Sequence, residues 1–209
     1  QKLKIHNIAS IEDAEIDFEA SPLAESELFL ITGKTGSGKS TILDAICLAL
    51  YASTPRLEST RIQGAVKDGE QDVSVDDARQ LLRRGKGEGY VLLDFIGTDK
   101  IPYQAEWSVR RAYAKPDGRL QPKEWILRDL SANVSYSKES EVKLLMASAI
   151  GLNFEQFCRT TMLAQGEFTR FLNSDDKDKA AILEKITGVS IYSEIGAAIY
   201  NITSRKQTE

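Results

Sequence analysis

Nine consecutive residues carry the clearest chemistry in this sequence. Gly33-Lys34-Thr35-Gly36-Ser37-Gly38-Lys39-Ser40-Thr41 matches the phosphate-loop pattern G-x-x-x-x-G-K-[ST] in full. Glycines at this spacing let successive backbone N–H groups converge on phosphate oxygens without interference from Cβ atoms. A helix that begins at the end of the pattern adds the partial positive charge of its N-terminus. Lys39 is then expected to reach the β- and γ-phosphates, and Ser40 to ligate Mg²⁺ through its hydroxyl. The pattern predicts a site for a nucleoside triphosphate with Mg²⁺, built from residues 33–41.

Such a loop works only between a strand and a helix, and both are expected. Leu28-Phe29-Leu30-Ile31-Thr32 is a continuous apolar run of the kind found in a central strand covered on both faces. After the loop, Ile42, Leu43, Ile46, Ala49 and Leu50 recur at helical spacing, which predicts an amphipathic helix over 39–51 with Pro55 at its far boundary. Upstream, Leu3, Ile5, Ile8 and then Ile11, Ile16, Phe18 read as two short strands with a turn between them. From about 79 to 134 strand patterns dominate (Val91–Ile96, Trp107–Val109, Trp125–Leu127), separated by Gly97, Pro102, Pro116-Asp117-Gly118 and Pro122. This region is expected to be an antiparallel β-rich insert. It is also basic: between Arg79 and Arg128 eleven Lys and Arg face six acids, a window of +5 in a chain whose formal charge is −4. Helices are expected again over about 140–150, ended by Gly151, then near 154–160, and from Ser174-Asp175-Asp176 to Gly188. Ile191, Ile195, Ala198 and Ile202 follow a coiled-coil rhythm that runs to Glu209 without a cap, so the natural chain is expected to continue.

The remaining chemistry is sparse. At 209 residues, 42% apolar and 28% charged, the chain has ordinary globular proportions, with 27 basic against 31 acidic side chains. An overall polybasic nucleic-acid tail, a disordered chain and a membrane-spanning one are excluded as classes, and the opening residues lack the apolar core of a signal peptide. A cytoplasmic location is expected. The single histidine, His6, sits in a strand-like stretch, and two distant cysteines cannot make a four-thiolate zinc site; Cys47 reads as a buried core thiol. Asp94-Phe95-Ile96-Gly97 imitates the D-x-x-G switch of a Ras-like GTPase, but no Asn-Lys-x-Asp guanine-reading motif occurs and Phe95 offers no base. No apolar strand ends in Asp-Glu and no Ser-Gly-Gly stretch appears, so the full hydrolytic set is absent.

Two stretches carry a resemblance. Leu30–Tyr51, with Thr54-Pro55-Arg56 after it, and Arg159-Thr160-Thr161-Met162-Leu163-Ala164-Gln165-Gly166-Glu167-Phe168, followed by Phe171-Leu172 and Leu183-Glu184-Lys185-Ile186-Thr187-Gly188, closely resemble the SMC-like ABC ATPases that work with a metal-dependent nuclease on DNA ends. The likeness covers nearly the whole chain. It implies an α/β P-loop ABC-type ATPase lobe with an antiparallel β insert and the root of a coiled coil. Residues 1–188 would form the N-terminal head lobe and 189–209 the start of the coiled-coil helix. In that family the head is split: the C-terminal half of the same protein supplies the signature, the Mg²⁺-binding Asp and the catalytic Glu. The resemblance makes Gln165 the Gln-loop residue that approaches Mg²⁺ and the attacking water. It makes ATP and Mg²⁺ the cofactors, and a second head, the partner nuclease and DNA the partners, with no membrane involved. Asn7-Ile8-Ala9-Ser10 departs from the pattern in lacking an Arg that some relatives carry there. The rivals are a Ras-like GTPase switch and a transporter-type ABC ATPase, which gives no reason for a coiled-coil root or a basic lobe.

Overall fold

Alternation of apolar and polar residues sets the sheet. In the structure, a computed structural model that describes residues 1–160 except 27, 59–63 and 69–70, the first two strands are β1 (Lys2–Ile8) and β2 (Ile11–Asp17). Later come β3 (Ala65–Asp68) and β4 (Gln71–Ser74), a separate hairpin, then β5 (Glu88–Ile96), β6 (Pro102–Arg110), β7 (Glu124–Asp129) and β8 (Val134–Tyr136). Six of them form one sheet in the order β2-β1-β5-β6-β7-β8, antiparallel at every junction. The strands expected in the 79–134 region are present, but they are not set apart. β5 pairs directly with β1, so the basic window is part of one sheet shared with the N-terminal hairpin.

Register aligns the core. Leu3, Leu93, Ala105 and Leu127 stand in one cross-strand row, and Ile5, Val91, Trp107 and Trp125 in the next; all eight are buried. Over them lie α1 (Lys39–Tyr51) and α3 (Glu139–Ile150), with the short α2 (Pro55–Glu58) between them in sequence. α3 contributes Val142, Met146 and Ala149 and ends where Gly151 takes left-handed backbone (φ +74°). Trp125 ties sheet to helix: its indole N–H donates to the Ala49 carbonyl at 2.8 Å, occupying an acceptor that the end of α1 leaves open. The opposite face of the sheet is polar, with Lys2 and Lys4 paired to Glu15 and Arg128 to Glu106.

Two expectations need correction. The 28–32 run forms no strand. It is irregular chain outside the sheet, with Leu28 90% and Leu30 84% exposed. Its composition suits burial on both faces, but none of the described strands pairs with it. α1 has the expected limits, yet its buried face runs through Thr41, Asp44, Ala45, Cys47, Leu48, Ala49 and Leu50; Ile42 and Ile46 are half-buried and Leu43 is exposed. The helix is apolar nearly all round, and the sheet covers only part of it.

Contacts divide the chain after Leu152. Of the second unit only Asn153–Thr160 is described, and it holds α4 (Phe154–Thr160), opened by a reciprocal pair in which Gln156 N donates to Asn153 Oδ1 and Asn153 N to Gln156 Oε1. Gln165, the helix expected up to Gly188 and the coiled-coil start at 189–209 lie outside the described residues. Among the described residues no helix is long and apolar enough to cross a membrane.

Candidate nucleotide site

The loop from Gly33 to Thr41 is shaped by its glycines. Gly36 (φ +82°) and Gly38 (φ +99°) both hold left-handed backbone, where a side chain costs about 1–2 kcal/mol. Ser37 N donates to the Lys34 carbonyl at 3.1 Å and closes the turn. Gly33 faces the same turn so closely that a Cβ would stand 2.7 Å from Ser37 Oγ.

Gly38 is the N-cap of α1, whose first backbone bond runs from Ile42 N to Gly38 O at 3.1 Å. The N–H groups of Lys39, Ser40 and Thr41 precede that bond and are orphan donors at the positive end of the helix dipole. Lys39 folds back across the loop, its ammonium donating to the carbonyls of Gly33 (2.6 Å) and Lys34 (2.8 Å). A phosphate in the loop would compete for that ammonium with these two carbonyls. Lys34, Thr35, Gly36, Ser37 and Ser40 are exposed and Thr41 is buried, so the concave side is open while its base is anchored.

The donor set fits Mg²⁺ that arrives with a triphosphate. Among the described residues no group of three His, Cys, Asp or Glu side chains could hold a metal alone. Mg²⁺ in phosphate sites takes few protein ligands and keeps phosphate oxygens and water. Ser40, exposed in the first turn of α1, is the hydroxyl that suits it. Gln165, the other expected ligand, lies outside the described residues.

Below the loop, two contacts brace it that spacing in the sequence did not reveal. The tip of the β1–β2 hairpin rests on the start of α1: Ser10 Oγ lies 3.2 Å from Thr41 Oγ1, and a Cβ on Gly38 would come within 2.8 Å of Ile11 Cγ1. Further along α1, buried Asp44 accepts from Arg56 Nη2 at 2.5 Å. Burial pushes the Asp44 carboxyl up, and the Arg56 charge offsets part of that rise. An acid inside an otherwise apolar helical run was the available signal for such a pair. For Ser10 there was none. Asp94, the GTPase-like residue, lies in β5 antiparallel to β1, where its carboxylate accepts from Gln104 Nε2 at 2.8 Å. Cys47 is fully buried and neither cysteine forms a disulfide.

Comparison with known proteins gives the chain a family. A family model described as "AAA domain" matches residues 2–195. The chain is 46% identical over 215 aligned residues to the SbcC component of the SbcCD nuclease of Pseudomonas aeruginosa, covering 99% of this chain and 18% of that protein. The corresponding protein of Rhodobacter capsulatus is 40% identical over 209 residues (97% and 17%), and that of Deinococcus radiodurans 31% over 178 (85% and 17%). The chain thus spans under a fifth of the length of these relatives. With the phosphate loop, its helix and the supporting sheet inside the matched region, the chain belongs to the AAA-domain family, as an ATPase region of the SbcC type.

Proposed function

We propose that this chain is the ATP-binding half of an SMC-like ABC ATPase head that controls a DNA-end-processing nuclease complex through ATP-dependent dimerisation of heads. The observation that carries the reading is the phosphate loop itself: two left-handed glycines, three orphan N–H groups and the Lys39 ammonium gathered at the start of α1. In this reading the backbone of 33–41 binds the phosphates, Lys39 holds the β- and γ-oxygens, and Ser40 takes its place beside Mg²⁺. Mg²⁺ held there would supply neutralising charge to the triphosphate.

The other half of the head would be the C-terminal part of the same protein. Its support is the exposed apolar side chains that flank the loop, Leu28 and Leu30 before it and Leu43 on the outer side of α1. Turnover would need that half, with Gln165 ordering water and Mg²⁺. A second head would close on the nucleotide, and the cutting would fall to an SbcD-type nuclease, which the name of the relatives supports. The complex would act in the cytoplasm on DNA.

Titration with Mg-ATP and Mg-GTP tests the core of this. The full-length protein carrying this chain is expected to bind Mg-ATP, with Mg-GTP a poor competitor, and Lys39→Ala to remove binding from a protein that still folds. Gln165→Ala is expected to spare binding and slow turnover. Undiminished affinity in folded Lys39→Ala would remove the phosphate-loop assignment.

A further inference from the structure

The hairpin tip that braces Gly38 and Thr41 is itself held from behind. Ala9-Ser10 is a two-residue connection between β1 and β2, with Ala9 at φ +46° and Asn7 at φ +53°. The segment before β5 clasps it. Ala9 N donates to Leu81 O at 2.7 Å, Arg83 N to Asn7 O at 2.9 Å, and Ile8 and Leu82 form an isolated bridge. Arg83 then turns its side chain onto the tip, with Nη1 donating to the carbonyls of Ser10 (2.7 Å) and Ala9 (3.2 Å). Next to it Lys86 pairs with Glu12 at 2.5 Å.

One guanidinium nitrogen serves both carbonyls. Two carbonyls at the end of a tight hairpin point away from the strand ladder, and a guanidinium can serve both while an ammonium offers a compact charge with no fixed geometry. The chain of contact runs from Arg83 to the Ser10 carbonyl, from Ser10 Oγ to Thr41 Oγ1, and from Ile11 to Gly38, at the residues that start α1 and end the phosphate loop. Arg83, Ser10 and Ile11 need not touch nucleotide to affect it.

We infer that Arg83 is a positioning residue for the phosphate loop, fixing the hairpin tip against Gly38 and Thr41 so that the loop is held ready for a nucleoside triphosphate. The inference rests on the nucleotide-binding reading above and deepens it. Seventy-three residues separate Arg83 from Ser10, so the role comes from the fold and not from the motif.

The test is Mg-ATP affinity of the full-length protein carrying this chain, with melting of the nucleotide-free protein followed in parallel. Arg83→Ala is expected to weaken Mg-ATP binding about tenfold, as when a hydrogen bond from a charged donor is lost. Arg83→Lys should recover part of it. Ser10→Ala should weaken binding in the same direction, and the double variant should be no worse than the weaker-binding single, because both changes break one chain of contacts. Wild-type affinity in Arg83→Ala, or a double variant whose losses add in full, would overturn the inference. So would a lowered melting temperature with unchanged affinity, since that is a structural role alone. Lys39→Ala separates the two levels: if it too binds normally, or the unaltered protein binds no Mg-ATP, the nucleotide reading fails and takes this inference with it.

Discussion

At residue scale, the two left-handed glycines are not equivalent. Gly36 has open space where a Cβ would go, so Gly36→Ala meets only the backbone cost, about 1 kcal/mol. Gly38 has the same backbone problem and Ile11 Cγ1 at 2.8 Å. Gly38→Ala is therefore expected to cost at least about 2 kcal/mol by adding a steric clash to the strain, and adding Ile11→Ala should return part of that. Denaturant unfolding of the four proteins gives the ordering, and equal losses for both glycines would contradict the contact with Ile11. Asp44 makes a second prediction at this scale. Its folded carboxyl holds a proton more tightly than in the unfolded chain, so its contribution is fully present below the ordinary value of 3.8 and is lost as pH rises through the raised folded value. Relative to Asp44→Asn, the wild type should gain stability as pH falls from neutral toward 4. A stability difference flat across that range would mean that Arg56 cancels the burial. The loop residues 33–41 are legible as a motif because they are contiguous, whereas Ser10 and Ile11 reach the loop through space, Arg83 acts only through them, and none of the three leaves a local trace.

At the scale of elements, periodicity located most of the pieces. The apolar spacing predicts the limits of α1, and Gly151 stops α3 where the left-handed cap requires it. The alternation in Val91–Ile96, Trp107–Val109 and Trp125–Leu127 lies within β5, β6 and β7. The short β3–β4 hairpin went unseen because four-residue strands such as Ala65–Asp68, largely exposed, carry no buried face to mark them. The 28–32 run failed for a different reason. A continuous apolar stretch states what a segment needs on its two sides, but it cannot state whether the partner lies within the same 209 residues. This gives a prediction: exchanging Leu28 and Leu30 together for Ser should alter the stability of this chain alone by no more than about 0.5 kcal/mol, because both side chains already face water. The same pair should weaken association with the rest of the full-length protein, read by co-purification of the separately expressed parts. A large loss of stability in this chain alone would show that the segment already packs within it.

Over the whole molecule, the question is where the +5 window sends its charge. The sequence treats Arg83, Arg84, Lys86, Arg110 and Arg111 alike, but the fold sorts them. Arg111 has both terminal nitrogens on Asp68, at 2.8 Å each, and is only 18% exposed. Arg83 and Lys86 are committed to the hairpin tip and Glu12. Arg84 is exposed, and Arg110, 69% exposed, has only a loose 3.9 Å approach to Glu124. Replacing Arg111 with Ala is therefore expected to cost stability, about 2 kcal/mol, by stranding Asp68. If the chain holds DNA through the basic window, then of these five residues Arg84 and Arg110 are the ones open to phosphate. Each lost contact should lower the magnitude of the slope of log K against log salt by about 0.9 for duplex DNA. Exchanging Arg84 and Arg110 for Gln should thus reduce it by up to about 1.8, and should leave sequence preference unchanged, since phosphate contacts carry no base information. The measurement is DNA affinity of the full-length protein over a salt series, with the single Arg111→Ala variant beside it. An unaltered slope in the double variant would place the DNA path away from Arg84 and Arg110 and leave their charges solvated.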